Sequence, residues 1–224
     1  MSTSRPSARP PGKKNAAYHH GDLREALIAA TLKLIPTSGV RELSLRAVAR
    51  RAGVSHSASY RHFSSKESLL AAVAEQGFDM LAKAIYSAAD TRPADALTRL
   101  QAAGAAYVRF GVEHPHHLLV MFGGAIGRFE DYPTLCDAAG RARGALAAIV
   151  NEGLESGDLR AADKELVQIA AWAIVHGLAV LMASRQLRSP GGSDLSPAEQ
   201  TALANGVTEL FCAGLAATST SRRR

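Results

Sequence analysis

Between Ser44 and Phe63 two helices must form with only a two-residue turn to separate them. Ser44 is a good helix N-cap, because its hydroxyl can accept a hydrogen bond from a first-turn N–H that has no partner inside the helix. Leu45, Val48, Ala49 and Ala52 then recur at helical spacing and make one apolar face. Gly53 can take the left-handed conformation that ends a helix, and Ser55 can cap a second helix two residues later. A helix, a glycine turn and a second capped helix form a helix-turn-helix, whose second helix ordinarily enters a DNA major groove. An ordinary helical hairpin in an all-α core satisfies the same pattern, so the surroundings have to decide.

Charge decides for the first reading. Residues 1–66 hold twelve Lys and Arg against three Asp and Glu, a net +9. The rest of the chain holds fourteen basic against seventeen acidic residues, a net −3. The whole positive excess therefore sits with the helix-turn-helix, as an electrostatic footprint for a phosphate backbone. An anionic membrane would also attract it, but membrane binding has no need of two capped helices. No stretch approaches ~20 uninterrupted apolar residues, so no spanning helix is expected. Residues 1–17 are rich in Ser, Pro, Arg and Lys without an apolar segment. They read as a disordered basic arm rather than a secretory signal. The arm could enter a minor groove or add only non-specific attraction through Arg5, Arg9, Lys13 and Lys14. Cys136 and Cys212 form no motif and read as buried or half-buried thiols of a cytoplasmic protein.

Elsewhere the apolar spacing predicts about nine helices and no convincing strand, an all-α chain. Aromatics are only 5% of it while Ala and Leu dominate, which favours helices. The first helix is expected from Asp22, with Glu25 completing a capping box, and carries Leu23, Ala26, Leu27, Ala30 and Leu34. Pro36 should kink it or end it early. Ser64 and Glu67 have the same capping-box spacing, so a helix starts near Ser65 and runs through Leu69, Leu70, Val73, Phe78, Leu81 and Ile85. A break falls at Thr91-Arg-Pro93. The next helix runs from Ala94 to about Glu113 with Leu97, Leu100, Ala103, Tyr107 and Phe110 as its stripe. Pro115 and Pro133 each open a further helix. Asp163 caps a long one whose stripe is Leu166, Ile169, Ala170, Ala173, Ile174, Gly177, Leu178 and Leu181. Ser196 and Glu199 cap the last, which carries Leu203, Val207, Leu210, Phe211 and Leu215. The chain divides into the arm (1–17), a helix-turn-helix domain (18–66), a larger helical domain (67–218) and a polar basic tail (219–224).

At this point the string from Leu43 to Leu69 resembles the TetR family of bacterial transcription regulators. The matching residues are Gly53, Val54, Ser55, Tyr60, Phe63, Lys66, Glu67 and Leu69. Tyr18-His-His-Gly-Asp-Leu-Arg24 and Trp172-Ala-Ile-Val-His-Gly177 are similar to a subgroup named for the Trp, His and Gly of its C-terminal domain. Two departures stand out. Ser59 replaces a usually apolar or Pro residue, which loosens the second helix of the motif, and Pro36 interrupts the helix before it. The resemblance implies an all-α homodimer with an N-terminal DNA-binding domain. It also implies a C-terminal domain that binds a small molecule and dimerises through the last two long helices, about 163–187 and 196–216.

The exposed side of the recognition helix should offer His56, Ser57 and Tyr60 to DNA, with Arg61 beside them. Ser57 can hydrogen-bond several base edges and Ala58 can contact a thymine methyl. Arg46 could reach a guanine or a phosphate. Ser44 and Ser55 place hydroxyl and backbone donors where phosphates sit, and Tyr60, His62 and Lys66 match family positions that clamp the backbone. Tyr60 could instead be a core aromatic. Phe63 reads as core, and Arg50 and Arg51 as DNA contacts or a solvated face. Phe78, Tyr107, Phe110, Met121, Phe122, Trp172 and His176 are the candidates for an effector pocket, although an apolar stripe also describes plain core. His114, His116 and His117 suggest a metal site, but Pro115 breaks the helix between them and no Cys or carboxylate pair has matching spacing. No metal, cofactor or catalytic residue is expected.

The reading is therefore a DNA-binding regulator, a homodimeric repressor released from its operator by a small molecule. An effector-independent regulator or an activator is the alternative. A helical metal enzyme built on the three histidines, and an architectural DNA coat, are the remaining classes. No Gly-x-Ser-x-Gly, His-Glu-x-x-His or phosphate loop supports an enzyme.

Overall fold

The computed structural model describes residues 20–90, 95–160 and 162–216. The basic arm, the Thr91–Pro93 break and the C-terminal tail lie outside the described residues. Nine α-helices account for the architecture among these residues. They are α1 (His20–Ser38), α2 (Leu45–Ala52), α3 (His56–His62), α4 (Lys66–Ala89), α5 (Ala96–Glu113), α6 (Pro115–Phe122), α7 (Pro133–Ser156), α8 (Lys164–Ala183) and α9 (Pro197–Leu215). A single 3₁₀ turn, Phe129–Asp131, precedes α7. The described residues hold no strand, only isolated bridges such as Leu159 with Ala216.

Local chemistry sets most boundaries. Asp95, Asp163 and Ser196 cap α5, α8 and α9, each accepting a backbone N–H three residues on. Ser196 and Glu199 close a reciprocal capping box. Pro115 and Pro133 open their helices, where a missing N–H costs nothing.

Three local expectations fail. First, α1 starts at His20 rather than Asp22, because the apolar stripe begins only at Leu23 and cannot mark the turn before it. Nor does it end early at Pro36, since it continues to Ser38. The proline forfeits one bond in a turn that is about to end, and Gly39, at φ +69°, closes the helix by donating to the Ile35 carbonyl. Second, α4 is capped by Ser65 and Ser68, not by Ser64 and Glu67. Ser65 Oγ accepts from the Ser68 N–H at 3.0 Å and Ser68 Oγ accepts from the Ser65 N–H at 3.1 Å. Third, Cys136 is exposed, while Cys212 is buried and its thiol is pushed up to about 11 by burial.

One hydrophobic core runs from α1 to α9, and α4 threads through it. Leu69, Leu70, Val73, Phe78, Leu81 and Ile85 of α4 are all buried. α4 packs on α1 on one side and on α5, α6 and α7 on the other, so one helix belongs to both halves. Close approaches lock α5 behind it. A Cβ on Gly111 would lie 2.8 Å from Ala179 Cβ of α8, and one on Gly104 2.8 Å from Thr208 Cγ2 of α9.

α8 departs furthest from expectation. Its buried face is Val167, Ala171, Val175, Leu178, Ala179 and Met182. Half of the stripe read from sequence is exposed instead: Leu166 is 66% exposed, Ile169 58% and Leu181 38%, with Ala173 beside them. The helix is also long and apolar enough to cross a membrane, contrary to the expectation that none would be.

Candidate nucleic-acid interface

The helix-turn-helix forms through three backbone devices. Ser44 Oγ accepts the Ala47 N–H at 3.2 Å and starts α2. Gly53, at φ +72° and ψ +26°, ends it. The Val54 N–H reaches back to the Ala49 carbonyl at 3.0 Å and the Gly53 N–H to that of Arg50 at 3.2 Å, the two bonds of a Schellman motif. Ser55 Oγ then accepts the Ala58 N–H at 3.2 Å and starts α3. Leu45, Val48 and Ala49 bury the inner face of α2.

Ser59 does not loosen α3. It is fully buried, and its hydroxyl donates to the His56 carbonyl at 2.7 Å. A polar residue tolerates this position because its one proton is satisfied locally. Phe63 is 4% exposed, as a core residue should be. The Arg24 guanidinium lies 5.9 Å from its ring centroid and joins α1 to the end of α3.

The outer face of α3 is polar and open. His56, Ser57, Tyr60 and Arg61 are exposed, while Ala58 and His62 are half-buried. Tyr60 is half exposed, so it is not a core aromatic. Its ring meets that of His56 edge to face at 4.8 Å, which fixes the direction of the phenol. Ser55 and Ser57 hydroxyls lie 3.1 Å apart. On α2, Arg46, Arg50 and Arg51 are exposed, and Ser44 is open at its start. Lys66 Nζ donates to the Arg41 carbonyl at 2.7 Å and ties the start of α4 to the loop before α2. Ser44, Arg46, Ser55, His56, Ser57, Tyr60 and Arg61 are thus all exposed on this motif. Lys66 sits at its edge with two ammonium protons to spare.

Behind the motif lies the second set of sequence candidates. Phe78 and Phe122 meet edge to face at 5.4 Å, and Phe122 lies 4.5 Å from His176 and 6.1 Å from Trp172. Trp172 Nε1–H donates to the Tyr107 hydroxyl at 3.3 Å, and that hydroxyl lies 3.0 Å from His176 Nδ1. Five of the seven candidates therefore form one aromatic cluster. Phe110 and Met121 stand apart in the core, Phe110 tilted against the His114 ring at 5.2 Å and Met121 closing on Gly77. A cavity of about 840 Å³ opens beside the cluster, and of the seven only Phe122 and His176 line it. Its other walls are Leu119 of α6, Val180 of α8, and Arg185, Leu187 and Asp194 of the α8–α9 connection. Sequence reasoning missed these. No local signal in the connection marks it as a partner of α6 in this wall. Arg185 takes the left-handed conformation, φ +54°, usual for glycine at a helix end. Its guanidinium pairs with Asp194 at 3.2 Å, and Arg188 pairs with the same carboxylate.

The three neighbouring histidines do not converge. His117 is buried and shares a hydrogen bond with Gln76 of α4 at 3.1 Å. Burial, reinforced by His114 and His116, holds its pKa down to about 4. Among the described residues no three His, Cys, Asp or Glu side chains are placed to hold a metal ion.

Comparison with known proteins bears on the whole arrangement. Residues 27–73 match the profile of the bacterial regulatory proteins of the tetR family, and residues 100–216 match a tetracyclin repressor-like C-terminal domain. An HTH-type transcriptional regulator of Mycobacterium tuberculosis is 30% identical over 148 residues, and the match spans 63% of either chain. The solved structure of a protein of unknown function from a Rhodococcus species is 33% identical, covering 89% of this chain and 98% of its own, with a TM-score of 0.71. The regulator FadR from Bacillus subtilis, solved with stearoyl-CoA, shares the fold at 17% identity and a TM-score of 0.70, covering 85% of this chain and 98% of its own. The two profiles together take in the helix-turn-helix and the helices behind it, and the chain belongs to the TetR family of bacterial regulatory proteins.

Proposed function

We propose that the chain is a sequence-specific, DNA-binding transcription regulator of the bacterial cytoplasm, a homodimeric repressor that a small molecule releases from its operator. The observation that carries this reading is the outer face of α2 and α3, where the exposed polar residues of one motif gather over a buried apolar face. Ser57 and Ala58 are small enough for close approach to base edges, and Tyr60, Arg61, His62 and Lys66 flank them to hold the backbone. The domain division at 66/67 falls on the first residues of α4. Placing the chain in the Trp-His-Gly subgroup rests on the strings Tyr18-His-His-Gly-Asp-Leu-Arg24 and Trp172-Ala-Ile-Val-His-Gly177.

Dimerisation through α8 and α9 is supported by the apolar surface they leave open. Leu166, Ile169, Trp172, Val180 and Leu181 are exposed on α8, and Leu210 on α9 is 77% exposed. A soluble monomer rarely leaves so much apolar surface in one place. Two recognition helices would then sit about 34–36 Å apart on a near-palindromic site.

Release follows if an effector binds better to a conformer whose recognition helices are set wider. α4 is the element suited to carry that change. It runs from Lys66 beside the DNA face to Phe78 beside the cavity cluster, with Gln76 joined to His117 of α6 and Glu67 accepting the Gly127 N–H at 2.8 Å. Selection of duplexes from a random pool, followed by affinity measured against salt, tests the reading. A palindromic winner bound about 10³-fold tighter than a scrambled duplex supports it. Equal affinities with equally steep salt slopes overturn it in favour of a non-specific coat.

A further inference from the structure

We propose that the cavity recognises an apolar molecule through a carbonyl oxygen, which accepts a hydrogen bond from Nε2–H of His176. The inference rests on the reading of this cavity as the effector site and adds the chemistry of the ligand.

The direction of a three-member relay carries the argument. Trp172 Nε1–H can only donate, and it donates to the Tyr107 oxygen. Tyr107 is 3% exposed and has one proton of its own. Burial pushes its pKa up to about 12, so that proton stays on the phenol. If His176 Nδ1 carried a hydrogen toward the same oxygen, the phenolic proton would be buried without an acceptor, at a cost of about 1–3 kcal/mol. The relay therefore runs from Trp172 through Tyr107 to His176 Nδ1. A neutral imidazole has one N–H, and Nδ1 is the acceptor, so the hydrogen is on Nε2. Burial holds His176 below its usual pKa, in keeping with the neutral ring.

Nε2–H is the polar group of His176 that the protein leaves unused. The ring lines the cavity, and among the described residues its one hydrogen bond is at Nδ1. Leu118, Leu119, Phe122, Val180 and Leu187 make most of the surrounding wall apolar. His116, Ser184 and Gln200 also line it, with the Ser184 hydroxyl donating to the Val180 carbonyl and the Gln200 amide to the Leu195 carbonyl. The charges at the rim already answer one another, Asp194 being shared by Arg185 and Arg188. The site thus presents His176 as a neutral donor of fixed direction in a mostly apolar wall. A carbonyl on an apolar body complements it, and a donor-only cation does not. Burying a polar donor against a hydrocarbon leaves the donor unpaired, which is how such a wall discriminates.

Trp172, the only tryptophan in the chain, reports on this wall. Its ring lies 5.7 Å from that of His176. The test titrates purified full-length protein with decan-2-one and with 2-methyl-1-decene, in which =CH₂ replaces =O, following tryptophan fluorescence. The ketone-to-alkene affinity ratio should fall about three- to tenfold in His176→Phe, the worth of one neutral hydrogen bond. An unchanged ratio overturns the proposed chemistry and leaves the effector site standing. Absence of ketone binding up to its solubility also overturns the proposal, while release of DNA by other compounds would still uphold the effector reading. Imidazole ¹⁵N shifts of the wild-type protein at neutral pH decide independently of any variant. They should show His176 protonated at Nε2 and that signal moving with ketone, and an Nδ1-protonated ring would reverse the relay and refute the proposal.

Discussion

Replacing Gly53 with Ala isolates the backbone term in the turn between α2 and α3. At φ +72° an L-residue places Cβ against its own carbonyl oxygen, which costs about 1–2 kcal/mol. Nothing else opposes the change, because a Cβ built there meets no atom within 4 Å. Gly39 supplies the control, with φ +69° and an equally empty surround. The two alanine variants should therefore lose the same stability within about 0.5 kcal/mol, and the double variant should lose the sum, since separated sites add. For a chain of this size the loss corresponds to about 2–8 °C in Tm for each variant, measured at one fixed protein concentration because a dimer's Tm depends on it. Gly53→Asn should lose less, since Asn tolerates the left-handed region better. DNA affinity should separate the two sites. Gly53 sets the angle between α2 and α3, whereas Gly39 lies before α2, so only Gly53→Ala should weaken operator binding. The readouts are thermal melts and fluorescence anisotropy on the selected duplex. Equal stability of Gly53→Ala and wild type would refute the left-handed turn. A loss much above 2 kcal/mol would refute the open surround.

Tyr60→Ala should weaken binding to every duplex by about 1–3 kcal/mol and flatten the salt slope only slightly, with little change in the melt because the ring is half exposed. Operator affinity equal to wild type in a binding titration would exclude Tyr60 from the interface. Leu166→Asp combined with Ile169→Asp should leave helicity intact and convert the protein to monomers in light scattering, since both side chains are mostly exposed in one chain; a persistent dimer would move the interface off α8. Stability should also fall as pH drops from about 6.5 toward 4. The folded state holds His117 near 4, so across that window the unfolded chain binds the extra proton and stability rises with pH. The lowered His176 adds in the same direction. His117→Gln should remove up to about 3 kcal/mol of that dependence, and identical pH profiles of Tm for variant and wild type would refute the buried neutral ring.

What the sequence makes legible follows the range of the interactions. The helix-turn-helix could be read residue by residue, because Ser44, Gly53 and Ser55 act on backbone groups no more than four residues away. Ser196 with Glu199, Asp163, Pro115 and Pro133 were legible for the same reason. Ser64 and Glu67 mislead because capping-box spacing can arise by chance one residue out of step. Glu67 is claimed instead by the Gly127 N–H, sixty residues away. Ser59 misleads in the opposite sense, since family habit says nothing of a hydroxyl that satisfies itself on the carbonyl of His56. The aromatic cluster could be listed from sequence but not assembled. Nothing local tells Tyr107 that its partner is His176, and nothing marks Leu187 as the wall opposite Leu119.

α8 shows a different kind of limit, one of physics rather than of distance. Its apolar residues occupy more than one face, so a helical period fits both Leu166, Ile169 and Leu181 and the alternative Val167, Ala171 and Met182. Periodicity reports that apolar groups recur and cannot report what they recur against. The core needs only the second set. The first set would face water in a single chain, and at about 25 cal/mol per Å² of apolar surface an arrangement that covers it is strongly favoured. A bilayer, a second copy and a ligand each satisfy that demand in principle. They differ in what they ask of the polar atoms on the same helix. A bilayer would have to accept Glu165 and Gln168 near one end and leave the Trp172–Tyr107–His176 relay tied to a neighbouring helix. A ligand the size of the cavity reaches Val180 and His176 but not Leu166 or Ile169. A second copy of the same helix would bring a matching apolar face to the exposed residues and leave the relay in place. The proposed dimerisation would therefore account for both halves of the pattern, the stripe that the core does not use and the polar residues that interrupt it.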